Sequence, residues 1–225
     1  MVDDLGWGDV SWHDDKMVTP FLETLSHTNA ALMDASYVNM ACTPTRTAFL
    51  TGYYPFHVGT QGGVFHAAED SGVPTKYTFF PERLQALGYK TYMVGKWHLG
   101  YCAPEYTPVG RGFDKFYGFY MGAQDYFDHE SNEIVDSVRY TGFDAWNGEN
   151  VDHTYDGKYN TETFGKVAME WLDDHSTHNS ADPFFLYLAF NAPHTPDQVP
   201  NARRGDYDYI TPCAHHTTEE RKTYC

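Results

Sequence analysis

The chain has 225 residues, of which 41% are hydrophobic and 17% aromatic, and its formal net charge is −16 at pH 7. This length and apolar content suffice for one sizeable folded domain and exclude a disordered or fibrous protein. The negative charge argues against binding to nucleic acid or to an anionic membrane by bulk attraction.

The two ends of the chain carry no targeting or membrane-spanning pattern. The longest apolar run, FFLYLAF at 184–190, is far shorter than the roughly 20 residues that a membrane span needs. Only two residues precede the DDLG turn, where an α/β protein usually has a buried strand, and no closing element precedes Cys225. We therefore expect an amino-terminal fragment of a longer protein.

The first third of the chain predicts two helices and one strand. Proline suits the first helical position, so a helix is expected from Pro20 to Ala31. A strand is expected near 37–40. A short helix then begins around Pro44 and ends at Gly52, which places Cys42 at a helix amino terminus.

The remaining elements alternate between helix and strand. A helix at 81–87 precedes an apolar strand at 90–95, and the segment KWHLG begins where that strand ends. Residues 101–159 read mostly as loops, with one short element within FDKFYGFYMG. One apolar helical face at 164–172 then leads to the strand FFLYLAF. The alternation predicts an α/β fold with a mostly parallel central sheet and helices on both faces.

Cys42 and Arg46 form the first candidate site. The helix dipole and a guanidinium one turn later would favour a thiolate at Cys42. The alternative is a cysteine that acts as a small buried hydrophobic residue. The other cysteines, Cys102, Cys213 and Cys225, lack the spacing of a disulfide scaffold or a zinc site. Cys213 and Cys225 could form a pair, and the neighbouring His215 and His216 lack the further ligands that a metal site needs.

Polar residues near the start of the chain and after the 90–95 strand form the other candidates. Asp3 and Asp4 offer hard oxygen ligands for a divalent cation, or else form an Asx turn before Gly6. Lys96 and His98 are two residues apart, so in extended backbone both would face one side and reach one anion. A histidine beside a tryptophan could equally be a packing residue.

Two motifs carry a resemblance to the type I sulfatases. CTPTR at 42–46, followed by TAFLTG, resembles the signature whose cysteine is oxidised to formylglycine (3-oxoalanine), and GYKTYMVGKWHLG at 88–100 resembles the second motif of that family. DDLGWGDV, RGFDKFYGF and APHTPDQVP also fit. DYFDH and PHTPDQVP point to the arylsulfatase B-like group, which includes N-acetylgalactosamine-4-sulfatase.

The resemblance implies an alkaline-phosphatase-like fold, with residues 1–225 forming part of the amino-terminal catalytic domain and the smaller carboxy-terminal domain absent. It implies hydrolysis of the sulfate ester of a sulfated sugar or aryl sulfate. One Ca²⁺ ion would be bound by Asp3, Asp4 and the modified residue 42. The hydrate of formylglycine would attack sulfur. The family's later Asp-Asn pair and later lysine have no counterpart before Cys225.

The resemblance also implies roles for the other polar side chains. Arg46 would stabilise the charged hydrate, and Lys96 would bind both the sulfate group and the hydrate. His98 would orient or deprotonate the hydrate. His194 would contact the ester oxygen and protonate the leaving group, unless it is an ordinary surface-loop histidine. The implied partner during maturation is the formylglycine-generating enzyme.

Three functions stay open at this point. The chain could come from a catalytic sulfatase, from a non-catalytic relative that binds sulfated glycans, or from a phosphate-ester hydrolase of the same superfamily. The family implies the secretory pathway, with a lysosomal or extracellular destination.

Overall fold

A computed structural model describes residues 1–28 and 30–200. These residues divide into two compact units. The larger unit contains Met1 and Asn39–Asn191, and the smaller unit contains Val2–Val38 with the described residues after Asn191.

Four α-helices and the two apolar strands at 90–95 and 184–190 were predicted close to where the structure has them. In chain order the α-helices are α1 (Pro20–Thr28), which lies in the smaller unit, α2 (Cys42–Thr51), α3 (Pro55–Val58), α4 (Phe80–Ala86) and α5 (Asn160–His178). The strands are β1 (Lys90–Lys96), β2 (Lys115–Phe119), β3 (Glu130–Val135), β4 (Val138–Phe143), β5 (Trp146–Asn147), β6 (Asn150–Val151) and β7 (Phe184–Ala189).

A five-stranded sheet with the order β6-β5-β2-β1-β7 organises the larger unit. The central strand β1 pairs in parallel with β2 on one side and with β7 on the other. The short strands β5 and β6 extend the sheet with antiparallel pairing. The predicted α/β class is confirmed. The sheet is mixed, because the short antiparallel strands β5 and β6 form one of its edges.

Helices cover both faces of the sheet because successive side chains of a strand point to opposite faces. Met93 of β1 packs in a core cluster with Leu50 of α2, while its neighbour Val94 packs in a second cluster with Phe164 and Val167 of α5. Burial on both faces explains why β1 and β7 are continuously apolar in sequence.

Two sequence predictions in this region were wrong. Residues 37–40 form no strand. Tyr37, Val38 and Met40 are exposed there, and no strand within residues 1–28 and 30–200 pairs with this segment. Residues 101–159 were predicted to be mostly loops with one short element within FDKFYGFYMG. That element is β2, but the same range also contains β3 through β6. The antiparallel hairpin of β3 and β4 escaped notice because most of its side chains are exposed and it lacks an apolar run.

No helix within residues 1–28 and 30–200 combines the length and the apolar character required to cross a bilayer.

Candidate active site

Cys42 is the first residue of α2, which confirms its predicted place at a helix amino terminus. Ala41 before it has extended backbone with φ −141°, and its carbonyl accepts a 3.1 Å hydrogen bond from the amide of Thr45. Gly52 ends the helix in the left-handed region, with φ 74°. Residue 42 therefore lies at the positive end of the α2 dipole.

Lys96, the last residue of β1, reaches Cys42. The Lys96 side chain is fully buried, and its Nζ donates a hydrogen bond to Cys42 Sγ at 3.1 Å. Since β1 is flanked by parallel strands, Lys96 lies at the carboxyl edge of the sheet, where open α/β sheets bind ligands. The sheet and α2 together bring a buried ammonium group to residue 42.

Arg46 lies beneath Cys42, one helical turn along α2, and is fully buried. Its Nη1 donates a hydrogen bond to the carbonyl of Lys96 at 2.7 Å and lies 3.4 Å from the hydroxyl of Tyr187. An arginine that only carried a solvent-exposed charge on the helix surface would not be buried in this way. Arg46 ties α2 to the end of β1, so it positions the Lys96 backbone beside residue 42.

His98 is buried just beyond β1, and its backbone is left-handed with φ 58°. The prediction of extended backbone through His98 is therefore wrong, because the strand ends at Lys96. Its amide donates to the carbonyl of Tyr120 at 3.1 Å, and its Nε2 lies 3.0 Å from the carbonyl of Phe65. The hydroxyl of Thr43 donates to the His98 carbonyl at 3.0 Å, which joins this histidine to the first turn of α2.

Several supporting residues gave no functional signal in the sequence. Thr43 bonds both His98 and the amide of Phe65, and a Cβ at Gly122 would lie 2.5 Å from Cε1 of the His98 ring. Tyr187 looked like one of many apolar strand residues. Their roles depend on contacts between segments far apart in the chain, which local patterns do not reveal.

A buried carboxylate, Asp144, was also missed. It accepts hydrogen bonds from the amides of Tyr120 and Met121, the hydroxyl of Ser131 and the indole of Trp146. Burial raises the pKa of Asp144, while these four hydrogen bonds oppose that rise by favouring the carboxylate. Asp144 holds the backbone of residues 120–121, to which His98 is bonded through Tyr120.

Asp3, Asp4 and His194 belong to the smaller unit. Asp3 is buried, with its amide bonded to the carbonyl of Ala192 at 3.2 Å, and Asp4 has a left-handed backbone with φ 58°. His194 Nε2 lies 3.6 Å from a carboxylate oxygen of Asp4. Two adjacent carboxylates supply the hard oxygen donors that Ca²⁺ prefers, so these residues fit such a cation.

Cys213 and Cys225, which could form a pair, and the neighbouring His215 and His216 lie outside the described residues.

Comparisons with known proteins agree with the two sequence motifs. The family model described as sulfatase matches residues 1–225. Arylsulfatase J of Mus musculus is 36% identical over 201 residues, which cover 89% of this chain and 32% of that protein. N-acetylgalactosamine-6-sulfatase of Rattus norvegicus is 29% identical over 213 residues, which cover 87% of this chain and 39% of that protein. The chain thus spans less than half the length of these relatives.

Solved structures show the same fold. The crystal structure of Ps i-CgsB has a TM-score of 0.79 and 30% identity, covering 99% of this chain and 49% of that chain. The structure of Ps i-CgsB in complex with k-i-k-neocarrahexaose has the same TM-score and 29% identity. The chain therefore belongs to the sulfatase family.

Proposed function

We propose that this chain supplies catalytic residues of a sulfuric ester hydrolase that acts on a sulfated carbohydrate or an aryl sulfate. The observation that carries the proposal is the 3.1 Å contact between Lys96 Nζ and Cys42 Sγ at the amino terminus of α2. A buried cation and a helix dipole at one residue stabilise negative charge there, and a sulfate ester brings such charge to the site.

The modification of residue 42 is the central step of the proposal. As the hydrate of formylglycine, residue 42 would supply the hydroxyl group that attacks sulfur as the alcohol leaves. Its second hydroxyl group would then allow the aldehyde to re-form with release of sulfate. The position of Cys42 in CTPTR supports recognition by the formylglycine-generating enzyme. We therefore propose that the protein matures in the secretory pathway and has a lysosomal or extracellular destination. Residues 1–225 would form part of the amino-terminal catalytic domain.

The neighbouring side chains have distinct proposed roles. Lys96 binds the sulfate group, since its ammonium already lies at residue 42. Arg46 holds the Lys96 backbone and adds positive charge below α2. His98 orients residue 42 or takes a proton from it. The burial of His98 and its contact with Thr43 in the first turn of α2 support this role.

The smaller unit contributes the remaining groups. Asp3, Asp4 and the modified residue 42 are the proposed ligands of one Ca²⁺ ion. When bound, the cation would polarise the sulfate oxygens. His194, whose Nε2 lies 3.6 Å from a carboxylate oxygen of Asp4, is proposed to protonate the leaving alcohol.

Named relatives support a sulfated carbohydrate as the substrate class. N-acetylgalactosamine-6-sulfatase is by name an enzyme for a sulfated sugar, and Ps i-CgsB was solved in complex with k-i-k-neocarrahexaose, whereas the name of arylsulfatase J points to an aryl sulfate. The arylsulfatase B-like grouping, with N-acetylgalactosamine-4-sulfatase, stays a proposal about substrate preference.

The test is the mass of the tryptic peptide Met17–Arg46 from protein expressed through a eukaryotic secretory pathway with an added signal peptide. We expect the aldehyde form at residue 42. A sulfatase of known modification is expressed in the same cells as the positive control. An unmodified thiol beside a normally modified control would contradict the catalytic proposal and leave a glycan-binding relative.

The phosphate-ester alternative is tested by a Cys42→Ser variant. The sulfatase proposal expects loss of sulfate-ester hydrolysis, because serine is not the substrate of the cysteine modification. Phosphate-ester hydrolysis that survives this substitution would favour the other hydrolase class instead.

A further inference from the structure

The larger unit has a cavity of about 240 Å³ beside the β3–β4 hairpin. This volume is just below the roughly 300–1,000 Å³ that ligand clefts usually occupy, so it suits a single ring better than a large ligand. The residues that line it and matter below are Tyr101, Tyr120, Asn132, Glu133, Tyr140 and Trp146. None of them belongs to the residues proposed to act on sulfate.

The aromatic walls of the cavity are held rigidly. Tyr101 and Tyr120 stack with ring centroids 5.6 Å apart, and Tyr120 and Trp146 lie with centroids 4.8 Å apart. The polar group of each ring already donates a hydrogen bond within the protein. The hydroxyl of Tyr101 donates to the carbonyl of Ala67, and the hydroxyl of Tyr120 donates to the carbonyl of Gly148. The indole of Trp146 donates to the carboxylate of Asp144. The rings therefore contribute apolar surface to the cavity at little entropic cost.

The hairpin also brings uncharged polar residues to the cavity. Asn132 and Thr141 face each other across β3 and β4, and the Thr141 hydroxyl donates to Asn132 Oδ1 at 2.6 Å. The rigid aromatic rings, with polar residues of the hairpin beside them, match the apolar face and the hydroxyl edge of a sugar ring.

The charge of the cavity selects against anions. Its acidic residues are Glu133, held by His66 and the amide of Ala67, and Asp144, whose oxygens take four hydrogen bonds. Among the described residues that line the cavity, none is lysine or arginine. A ring that carries sulfate or carboxylate would be repelled, and the occupied carboxylates are poor metal ligands.

Two segments of the chain that line the cavity also contain residues that contact His98. Ala67 lines it, and Phe65, two residues earlier, bonds the His98 ring and Thr43. Met121 also lines it, and the next residue, Gly122, lies against the His98 ring.

We propose that this cavity binds an uncharged sugar ring, the neighbour of the sulfated residue in an oligosaccharide. The second part of this inference rests on the proposed function, whereas the binding of an uncharged sugar does not. Tyr140 at the mouth of the cavity, 59% exposed, supplies the contact that is easiest to remove without disturbing the fold.

The first test is ligand-observed NMR on the full chain with methyl β-galactopyranoside as the probe. We expect saturation transfer to the wild type, and a loss of at least about fivefold in Tyr140→Ala, because one aromatic face is removed. Val138→Ala is the matched control: Val138 lies on the same strand, is 52% exposed and does not line the cavity. Methyl galacturonide, which carries a carboxylate, should give at least about fivefold weaker transfer.

No transfer to the wild type, equal losses in Tyr140→Ala and Val138→Ala, or equal binding of the uronide would overturn the proposed sugar site. Thermal unfolding of both variants shows whether the hairpin is intact.

The second test concerns the place of the cavity in the reaction. With a sulfated oligosaccharide, Tyr140→Ala should raise KM at least about fivefold, while kcat/KM for a small aryl sulfate stays unchanged. Equal behaviour toward both substrates would remove the cavity from the substrate path. Binding of the uncharged sugar that depends on Tyr140, in a protein whose residue 42 stays an unmodified thiol beside a normally modified control, would support the sugar site and contradict the proposed function.

Discussion

At the scale of single residues, the contact between Lys96 and Cys42 is the chemically informative feature. A lysine buried completely at the end of a central strand is costly unless the site uses its charge. Its Nζ faces Cys42, the residue that we propose is modified. Function rather than stability is therefore the better explanation for this ammonium group.

Replacing Lys96 by methionine tests that explanation. In Lys96→Met the chain length is nearly kept and the charge is lost, so we expect turnover of an aryl sulfate to fall about 10²–10³-fold. The free energy of unfolding in urea should stay the same or rise, since a buried charge is replaced by an apolar group.

Lys90→Met is the control for that variant. Lys90 lies at the other end of β1 with a partly exposed side chain, 3.7 Å from Asp182. Its activity should change less than about twofold, because an exposed ion pair contributes little. Turnover in Lys96→Met within a factor of ten of the wild type would show that its charge does not serve the reaction.

At the scale of elements, a row of small residues allows the three parallel strands to approach each other. Gly95 of β1 is in register with Gly118 of β2 and with Ala189 of β7. Gly95 has φ 107°, and a Cβ there would lie 1.9 Å from the carbonyl oxygen of Ala189. Glycine at position 95 is thus required both by its backbone conformation and by the neighbouring strand.

Gly95→Ala should therefore lower the free energy of unfolding by at least about 3 kcal/mol, measured by urea denaturation. The matched substitution is Gly165→Ala in α5, where a Cβ meets nothing within 4 Å. It should raise the free energy of unfolding by roughly 0.5–1 kcal/mol, because alanine is the better helix former. If both variants lost the same stability, the close approach of the strands would not be the cause.

The packing of α5 on the sheet adds a pH-dependent contact. Lys115 of β2 donates to a carboxylate oxygen of Asp174 at 2.9 Å, and this hydrogen bond and charge lower the pKa of Asp174. A lowered folded-state pKa stabilises the protein above the unfolded value of about 3.9, and that stabilisation disappears as the pH falls through the folded value.

Asp174→Asn should consequently reduce stability slightly at pH 7, and the difference from the wild type should vanish at pH values well below 3.9. Urea unfolding at a series of pH values measures it. A difference that stayed constant down to acid pH would mean that packing, not ionisation, is responsible.

Element prediction from the sequence succeeded where the signal was local. Pro44 and Gly52 marked α2, and the apolar runs marked β1 and β7. The β3–β4 hairpin was missed because its turn residues, Asp136 and Ser137, have positive φ without the glycine that usually signals such a turn. The segment at 37–40 looked like a strand by composition but has no partner strand among the described residues.

At the scale of the whole molecule, the charge of −16 opposes any polyanionic substrate. Raising the salt concentration from about 0.01 M to about 0.15 M shortens the Debye length from about 30 Å to about 8 Å and screens that repulsion. We expect kcat/KM for a multiply sulfated oligosaccharide to rise severalfold over this range. A singly charged aryl sulfate, measured alongside, should change much less.

A fall in kcat/KM for the oligosaccharide with added salt would contradict this expectation. It would mean that local positive groups such as Lys96 and Arg46 dominate the approach of the substrate over the net charge.

The sequence by itself determined the family, the α/β class, the helix start at Cys42 and the identity of the candidate residues, because motifs, capping residues and apolar runs are local signals. Only the tertiary structure decided that Lys96 meets Cys42 across 54 positions of the chain, that Arg46 is buried beneath it, and that Asp144 anchors the backbone beside His98. Strand order and the pairing of distant segments depend on how whole elements pack together, and no short stretch of sequence contains that information.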